Sequence, residues 1–562
     1  MLLTAPLWAA MSVNDLTLEE QIGQTIMPRV LVGEQKAFKK AVLAGQVTGF
    51  TVKTGEGLIH FPRLTPKKQA AYQKKQYKKL QKTIADLKKW AAKSPHQIPL
   101  LFAFDYEGGT VTSPMYMGLK QMPSNMLLGA AQDDQTITDM YTALALELRK
   151  LGGNMVYGPV TDVNSNPLNP IIQTRSFGSS AQEVGHNAAL AVKALQAHGV
   201  AAVNKHFPGH GDTSVDSHYE KPVTALDKQT LWARHTSAFL PSVQAGVYGV
   251  MNSHVVFPAL DDKNTASFSP RILKELLRRK MQFDGVIITD GLDMGALKDM
   301  GVEEMVRRAY KAGNNILLLS GDARHIKQTR YYPQRAVEYV RESVAQVEQG
   351  NVPADKYVTR GEVEESAARV LALKEKLGLF GTDPALPQDT GFANASRQAA
   401  EKGVTLVRNL AGVVPLGREE QKICSVFFAD DIFGEQLTVF NTYLAAKGKY
   451  VQAVYSPRTP DEKSASLARQ CAQTADVLVL GTSRKAAMDE QQTALVKELL
   501  ETAGEKRQKT VLLSLLNPYE IPLYPQAKTV LALYGPTADS MQVAAEILLG
   551  ERTSQGKLPV TW

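Results

Sequence analysis

Between Lys205 and His218 the chain reads KHFPGHGDTSVDSH, which places three histidines, two aspartates and a lysine within fourteen residues. Pro208, Gly209 and Gly211 break any helix there, so the segment is read as a loop leaving an apolar strand. Loops held by a rigid scaffold are where reactive groups are usually carried. In Asp216-Ser217-His218 both ionisable side chains can point to one side of an extended loop, and a carboxylate against an imidazole fixes its tautomer and raises its basicity. Such a pair suits general acid/base work. A second element, GVIITDGLDMGAL, ends an apolar strand on Asp290 with a glycine directly after it. Hydrolysis of a glycoside needs one group to protonate the leaving oxygen and another to trap or stabilise the oxocarbenium-like centre. Asp290 suits the second task, with histidine replacing the usual carboxylic acid in the first. Taken singly, Asp290 could be a helix cap or turn former and His218 a surface imidazole. His206, His210, Asp212, Asp216 and His218 could also ligate zinc or another divalent ion, although no HExxH-type helical pair accompanies them.

These groups need a scaffold that brings distant segments to one place. Eight apolar, β-rich runs occupy the first two thirds of the chain: Thr25 to Val30, Val47 to Val52, Pro99 to Asp105, Met155 to Val163, Val200 to Phe207, Val247 to Val255, Gly285 to Asp290 and Asn315 to Ser320. Each is followed by a longer amphipathic pattern. Near-continuous apolar strands alternating with helices imply a parallel sheet buried on both faces, and eight repeats suggest a (β/α)8 TIM-type barrel. Active sites of such barrels sit at the C-terminal ends of the strands. There Asp105, Asp162, Lys205 with His206, His254 and Asp290 close five of the runs.

At 562 residues the chain exceeds what one hydrophobic core usually supports. Residues 16–377 are expected to form the barrel, and residues 378–394, rich in glycine and proline, a linker. Residues 395–562 are expected to form a smaller α/β sandwich with an open, mainly parallel sheet, from runs at Ser425, Tyr450, Val477, Val511 and Val530. Residues 1–15 include an apolar opening, MLLTAPLWAA, that reads as a signal remnant or a disordered start. No run reaches the roughly eighteen apolar residues that a transmembrane helix needs. Cys424 and Cys471 have neither CxxC spacing nor zinc-site companions and favour no disulfide framework. The net charge is +8, with a pI near 9.0. Much of the excess lies between Lys67 and Lys93, where Leu80, Ile84, Leu87 and Trp90 recur at helical spacing. That stretch reads first as the solvated face of an amphipathic helix, with attraction to an anionic polymer or membrane as the second reading. Nucleic acid is not expected as a partner.

The KHFPGHGDTSVDSH segment closely resembles the signature of the bacterial β-N-acetylglucosaminidases of glycoside hydrolase family 3, KHFPGHGDTxxDSH. Asp105-Tyr-Glu107-Gly-Gly, PVTDVNSNPLNPIIQTRSFG from Pro159, SHVVFPALD from Ser253 and ITDGLDM around Asp290 are also family-like and occur in the family's order. In the second domain, VTLVRN, NPYEIP and the closing GKLPVTW resemble two-domain members. The resemblance implies a retaining exo-β-N-acetylglucosaminidase that removes terminal N-acetylglucosamine from peptidoglycan fragments (muropeptides) or chitooligosaccharides. It further implies that Asp290 forms a glycosyl ester, that His218 oriented by Asp216 acts as acid and then base, and that Asp105, Arg175, Lys205 and His206 bind sugar hydroxyls or the acetamido group. No metal or organic cofactor is implied, and a periplasmic or secreted location is expected, with the cytoplasm as the alternative. Thr110 and Ser113 stand where members commonly carry arginines after the EGG turn, and the residues flanking Asp290 differ from the commonest version, which leaves fine specificity open. A family β-glucosidase or β-xylosidase, a glycosyl phosphorylase and a non-catalytic sugar-binding protein are the alternatives.

Overall fold

The computed structural model describes residues 11–53, 66–111, 117–319, 332–381, 385–417, 419, 421–484 and 489–562. Most of the expected linker is described, whereas Ser113, Ser320 and residues 1–10 lie outside.

Each of the eight apolar runs contributes a strand to one parallel sheet. The barrel strands are, in order, Ile26–Leu31, Gly49–Lys53, Leu101–Phe104, Met155–Val156, Ala201–Phe207, Gly249–Asn252, Val286–Ile288 and Leu317–Leu319. Each pairs in parallel with its sequence neighbour, the eighth with the first, and an Ile288–Ile316 bridge joins seventh to eighth. The sheet therefore closes on itself. Successive side chains in a strand face opposite ways, so one set fills the barrel and the other meets the helices. Met27, Leu101, Ala103, Met155, Val203 and Ile288 pack together in the interior, while Val30, Phe50, Phe102, Phe104, Val156 and Ile287 belong to a separate cluster with the helix faces. Both sets are apolar because both are buried, which is why the strands read as unbroken apolar runs.

The helices between strands begin where short polar side chains can satisfy the free amides of a first turn. Asp133 caps Asp134–Lys150 and Ser180 caps Ala181–Ala197, while Thr359 and Glu362 form a capping box on Arg360–Lys376. The basic stretch is a single helix, Pro66–Ala91, that buries Leu80, Ile84 and Leu87. The next helix, Phe392–Gly403, starts three residues inside the expected linker. Lys150 Nζ donates to the Gln388 carbonyl, and Thr390 bonds Glu147 of the same barrel helix, so this part of the connection is tied to the barrel.

The second sheet has six strands, ordered Thr405–Asn409, Thr529–Ala532, Lys509–Ser514, Val477–Thr482, Lys422–Phe428 and Tyr450–Ser456. Five are parallel, matching the five expected runs. The edge strand Thr405–Asn409 is antiparallel to its neighbour and is only partly buried, so it lacks the apolar run that marked the others. One core joins the two domains: Met126, Leu127 and Ala130 of the barrel pack with Val404, Leu531 and Val560.

The cysteines correct the sequence reading. Cys424 and Cys471 form a disulfide, with Cα atoms 5.6 Å apart. Spacing could not show this, because the pairing is created by the helix Glu462–Thr474 packing over the strand Lys422–Phe428. The bond closes a loop of 47 residues, a constraint on the unfolded chain worth about 2–4 kcal/mol. Replacing both cysteines by serine is expected to lower unfolding stability of the second domain by that amount in urea titration, and the same loss should appear in the wild type under reducing conditions.

Candidate active site

The carboxylate of Asp290 stands two residues beyond the seventh strand. Its Oδ1 accepts a 2.8 Å hydrogen bond from the Gly291 amide. Burial opposes its ionisation, but the neighbouring imidazoles of His206, His254 and His218 outweigh burial and hold its pKa below the usual carboxylate value. It is thus an anion at neutral pH, as a nucleophile must be. His254 fixes the turn that follows: its Nε2 lies 2.9 Å from the Gly291 carbonyl and its Nδ1 2.5 Å from Ser267 Oγ.

His218 is half-exposed, with its Nδ1 2.8 Å from Asp216 Oδ1. The same carboxylate oxygen accepts the His218 amide at 2.9 Å, and the Tyr219 and Glu220 amides both reach the Asp216 carbonyl. The pair is therefore set by a tight turn in which aspartate bonds the backbone two residues on, and not by the extended loop expected from sequence. The hydrogen bond to Asp216 raises the His218 pKa, with partial burial working against it. Two further bonds dock this turn on the segment after Asp290: the Gly295 amide donates to the His218 carbonyl, and the Ala296 amide to the Ser217 carbonyl, each at 3.2 Å. A Cβ on Gly295 would fall 2.4 Å from that His218 oxygen, so glycine is needed for the approach.

The rest of the KHFPGHGDTSVDSH loop holds this turn in place. His210 is buried, its Nε2 3.1 Å from Ser217 Oγ and its Nδ1 2.9 Å from Thr213 Oγ1. Burial and the adjacent His206 push its pKa down to about 4, leaving it neutral. Asp162 bonds the ring and amide of His206 through Oδ2 and the His210 amide through Oδ1. Burial notwithstanding, those histidines hold its pKa down to about 2. Asp212 accepts from Ser165 and Thr224 instead. Of the five candidate metal ligands, His206, His210 and Asp212 are thus turned to other partners and Asp216 and His218 to each other, and among the described residues no group of three such side chains is arranged to hold an ion.

A third group gathers at the ends of the second to fifth strands. Lys205 Nζ bridges Asp105 Oδ1 at 2.9 Å and Glu107 Oε1 at 2.5 Å, and Lys53 bonds the other Asp105 oxygen. Arg175 meets Glu107 with two parallel bonds, Nε to Oε2 at 2.6 Å and Nη2 to Oε1 at 3.0 Å. Burial would neutralise these carboxylates, but Lys205 and Lys53 keep Asp105 far below its usual pKa, and Arg175 with Lys205 holds Glu107 at about 2. Three cations face two anions. Lys205 and His206 are consecutive and yet both reach the rim, at a place where the pairing with the sixth strand shifts register, an irregularity that re-aims side chains.

All seven residues singled out from sequence, Asp290, His218, Asp216, Asp105, Arg175, Lys205 and His206, lie at the C-terminal rim of the barrel. Lys53, Glu107, Asp162, His254 and Gly295 had no assigned role. Strand-end position pointed to Asp162 and His254 but not to Lys53, whose partner Asp105 is 52 residues away and leaves no local signal. The second domain backs the rim: Tyr519 Oη donates to the Asn164 carbonyl at 2.7 Å, and Ser124 Oγ to that of Tyr534 at 2.6 Å. An apolar groove of about 950 Å³ lined by Val13, His96, Leu371 and Phe380 lies at the opposite end of the barrel.

Residues 17–373 match the profile of the glycosyl hydrolase family 3 N-terminal domain, and residues 370–562 that of its C-terminal domain. The chain belongs to glycosyl hydrolase family 3. Within the family it is 28% identical over 524 residues to β-hexosaminidase A of Pseudoalteromonas piscicida, covering 84% of both chains. It is 35% identical over 246 residues to a β-hexosaminidase of Neisseria meningitidis, covering 42% of this chain and 67% of that one. A family 3 β-N-acetylglucosaminidase from Paenibacillus sp. has a solved structure that superposes with a TM-score of 0.81 at 27% identity, over 97% of this chain and 99% of that one.

Two substitutions test this family 3 site. Gly295→Ala should displace the Asp216–His218 turn and lower kcat at least tenfold on an unactivated disaccharide, with the thermal midpoint little changed. Glu107→Gln leaves Arg175 and Lys205 short of a buried counter-charge, and should cost roughly 3–5 kcal/mol of stability, read by denaturant unfolding.

Proposed function

We propose that this chain is a β-N-acetylhexosaminidase that releases terminal β-linked N-acetylglucosamine with retention of configuration, acting on muropeptides or chitooligosaccharides. The observation that carries this reading is the Asp216–His218 pair docked by hydrogen bonds to the segment following Asp290. The relatives' names agree with it.

In the first step an Asp290 oxygen attacks the anomeric carbon while the glycosidic C–O bond breaks, and the His218 imidazolium gives its proton to the leaving oxygen. In the second, His218 takes a proton from water, the resulting hydroxide attacks the same carbon, and the Asp290 carboxylate is released. The raised His218 pKa supports the acid role, and the lowered Asp290 pKa the nucleophile role. Asp105, Arg175, Lys205 and His206 line the sugar subsite, where Asp105 keeps the most exposure while Lys205 and Arg175 act mainly by holding the carboxylates and His206 is held by Asp162. The cytosol rarely preserves a disulfide such as Cys424–Cys471, which favours a periplasmic or secreted location.

Within the group formed by Lys53, Asp105, Lys205, Glu107 and Arg175 three cations face two anions, and this local excess favours a second acceptor. An anionic phosphate could replace water in the second step, giving a glycosyl phosphate.

Rates on nitrophenyl β-N-acetylglucosaminide, nitrophenyl β-glucoside and chitobiose, each with and without phosphate, test the proposal. The N-acetylglucosaminide should be strongly preferred, and a preference for the glucoside would overturn the assignment of the sugar. His218→Ala should cut chitobiose turnover by about 10²–10⁴ and that of the nitrophenyl substrate much less, because nitrophenolate leaves without a proton. Asp216→Asn removes the main influence raising the His218 pKa, so the alkaline limb of kcat/KM should move to lower pH. An unmoved limb would show that His218 does not carry that ionisation.

A further inference from the structure

The positive charge of the chain is concentrated in one helix. Between residues 67 and 93 lie ten lysines and a single acidic residue, Asp86. Out of 64 basic and 56 acidic residues, that leaves 54 and 55 elsewhere, so the remainder carries a net −1 against +8 for the whole. All ten lysines are exposed. At 100° per residue, Lys67, Lys68, Lys74, Lys75, Lys78, Lys79, Lys82 and Lys89 fall within an arc of roughly 140°, opposite the buried Leu80, Thr83 and Leu87. Asp86 is already bonded by Gln35 and Lys82. Lys36, Lys39 and Lys40, on the short element packed beside this helix, are exposed as well.

An ordinary solvated helix face mixes both signs, because interspersed carboxylates relieve repulsion and add i,i+4 pairs. A face about 39 Å long at 1.5 Å per residue, with ten lysines to one acidic residue in its segment, carries repulsion that added counter-charge relieves. The helix also flanks the entrance to the rim. A Cβ on Gly118, in the chain returning from the Asp105–Gly109 segment, would lie 3.0 Å from the Gln73 carbonyl and 3.2 Å from Tyr77 Cβ.

We infer that this helix is a docking face for a flexible linear polyanion whose phosphodiester backbone carries no bases, one that holds the enzyme against an anionic polymer with its catalytic rim alongside. Two other anionic partners fit less well. The aromatic side chains beside the lysine arc, Tyr72 and Trp90, are half-buried and Lys39 lies over the Trp90 ring, so no open platform is offered on which bases could stack, as single-stranded nucleic acid sites do. Its apolar side is buried in the barrel, so nothing remains to enter a bilayer as interfacial helices do. A flexible chain with regularly spaced charges needs neither.

The test is binding of fluorescent poly(glycerol phosphate) to the full chain between 50 and 200 mM salt, beside duplex DNA and phosphatidylglycerol–phosphatidylcholine vesicles. If about five lysines engage, affinity should fall on the order of 100-fold across that range. The combined Lys74→Glu, Lys75→Glu, Lys78→Glu and Lys79→Glu variant should lose at least tenfold in affinity at 50 mM, and the matching four-glutamine variant should lose less but in the same direction. Unchanged thermal midpoints show that the variants are folded, and binding is read without reference to hydrolysis. Absence of polymer binding at 50 mM, retention of affinity by both variants, or tighter binding to DNA or vesicles would each overturn the inference.

Discussion

The bond from the Gly295 amide to the His218 carbonyl joins loops that leave the seventh and fifth strands, and the candidate chemistry depends on that junction. Asp290 is fixed by the end of its strand. His218 is not: its imidazole is half-exposed on a loop that must be steered into place. Steering comes from successive contacts, the buried ones of Asp162 on the His206 and His210 amides and of His210 on Ser217, then the more exposed Asp216 on His218, and finally the loop backbone against Gly295. The histidines that looked like a metal cluster are in this respect a scaffold. His210, with its depressed pKa, serves as an uncharged bridge between Thr213 and Ser217.

Beside this junction lies an ionic floor of buried Lys205, Glu107 and Arg175 with half-buried Lys53 and Asp105. Desolvation of so many charges is costly, and a well-packed apolar floor would be at least as stable. Their value lies in preorganisation, since donors and acceptors already held in place need not be ordered when a polyhydroxylated sugar arrives. The second domain shares a core with the barrel and bonds the Asn164 and Ser124 segments. It acts as a buttress to the same rim.

Much of this was legible in the sequence. Eight buried strands announce themselves because burial on both faces forces unbroken apolar runs, and strand ends mark the rim. Motif residues such as Asp216 and His218 are separated by a single position, so their pairing is a local matter. What was hidden depends on distant partners. The Glu107–Arg175 pair spans 68 residues, the Cys424–Cys471 bond joins a strand to a helix packed over it, and Gly295 matters only because another loop passes 2.4 Å from where its Cβ would be. The antiparallel edge strand Thr405–Asn409 was hidden for a different reason: exposure at a sheet edge removes the apolar signature.

The proposed reaction turns on a covalent bond between Asp290 and the sugar. It is tested most directly by incubating the enzyme with a 5-fluoro-N-acetylglucosaminyl fluoride, which slows release of the intermediate, and locating the label by peptide mass spectrometry. One sugar per chain on the peptide containing Asp290, absent in Asp290→Asn, is the predicted result. A sugar on another residue, or full turnover through an inverted product with no label, would contradict the account.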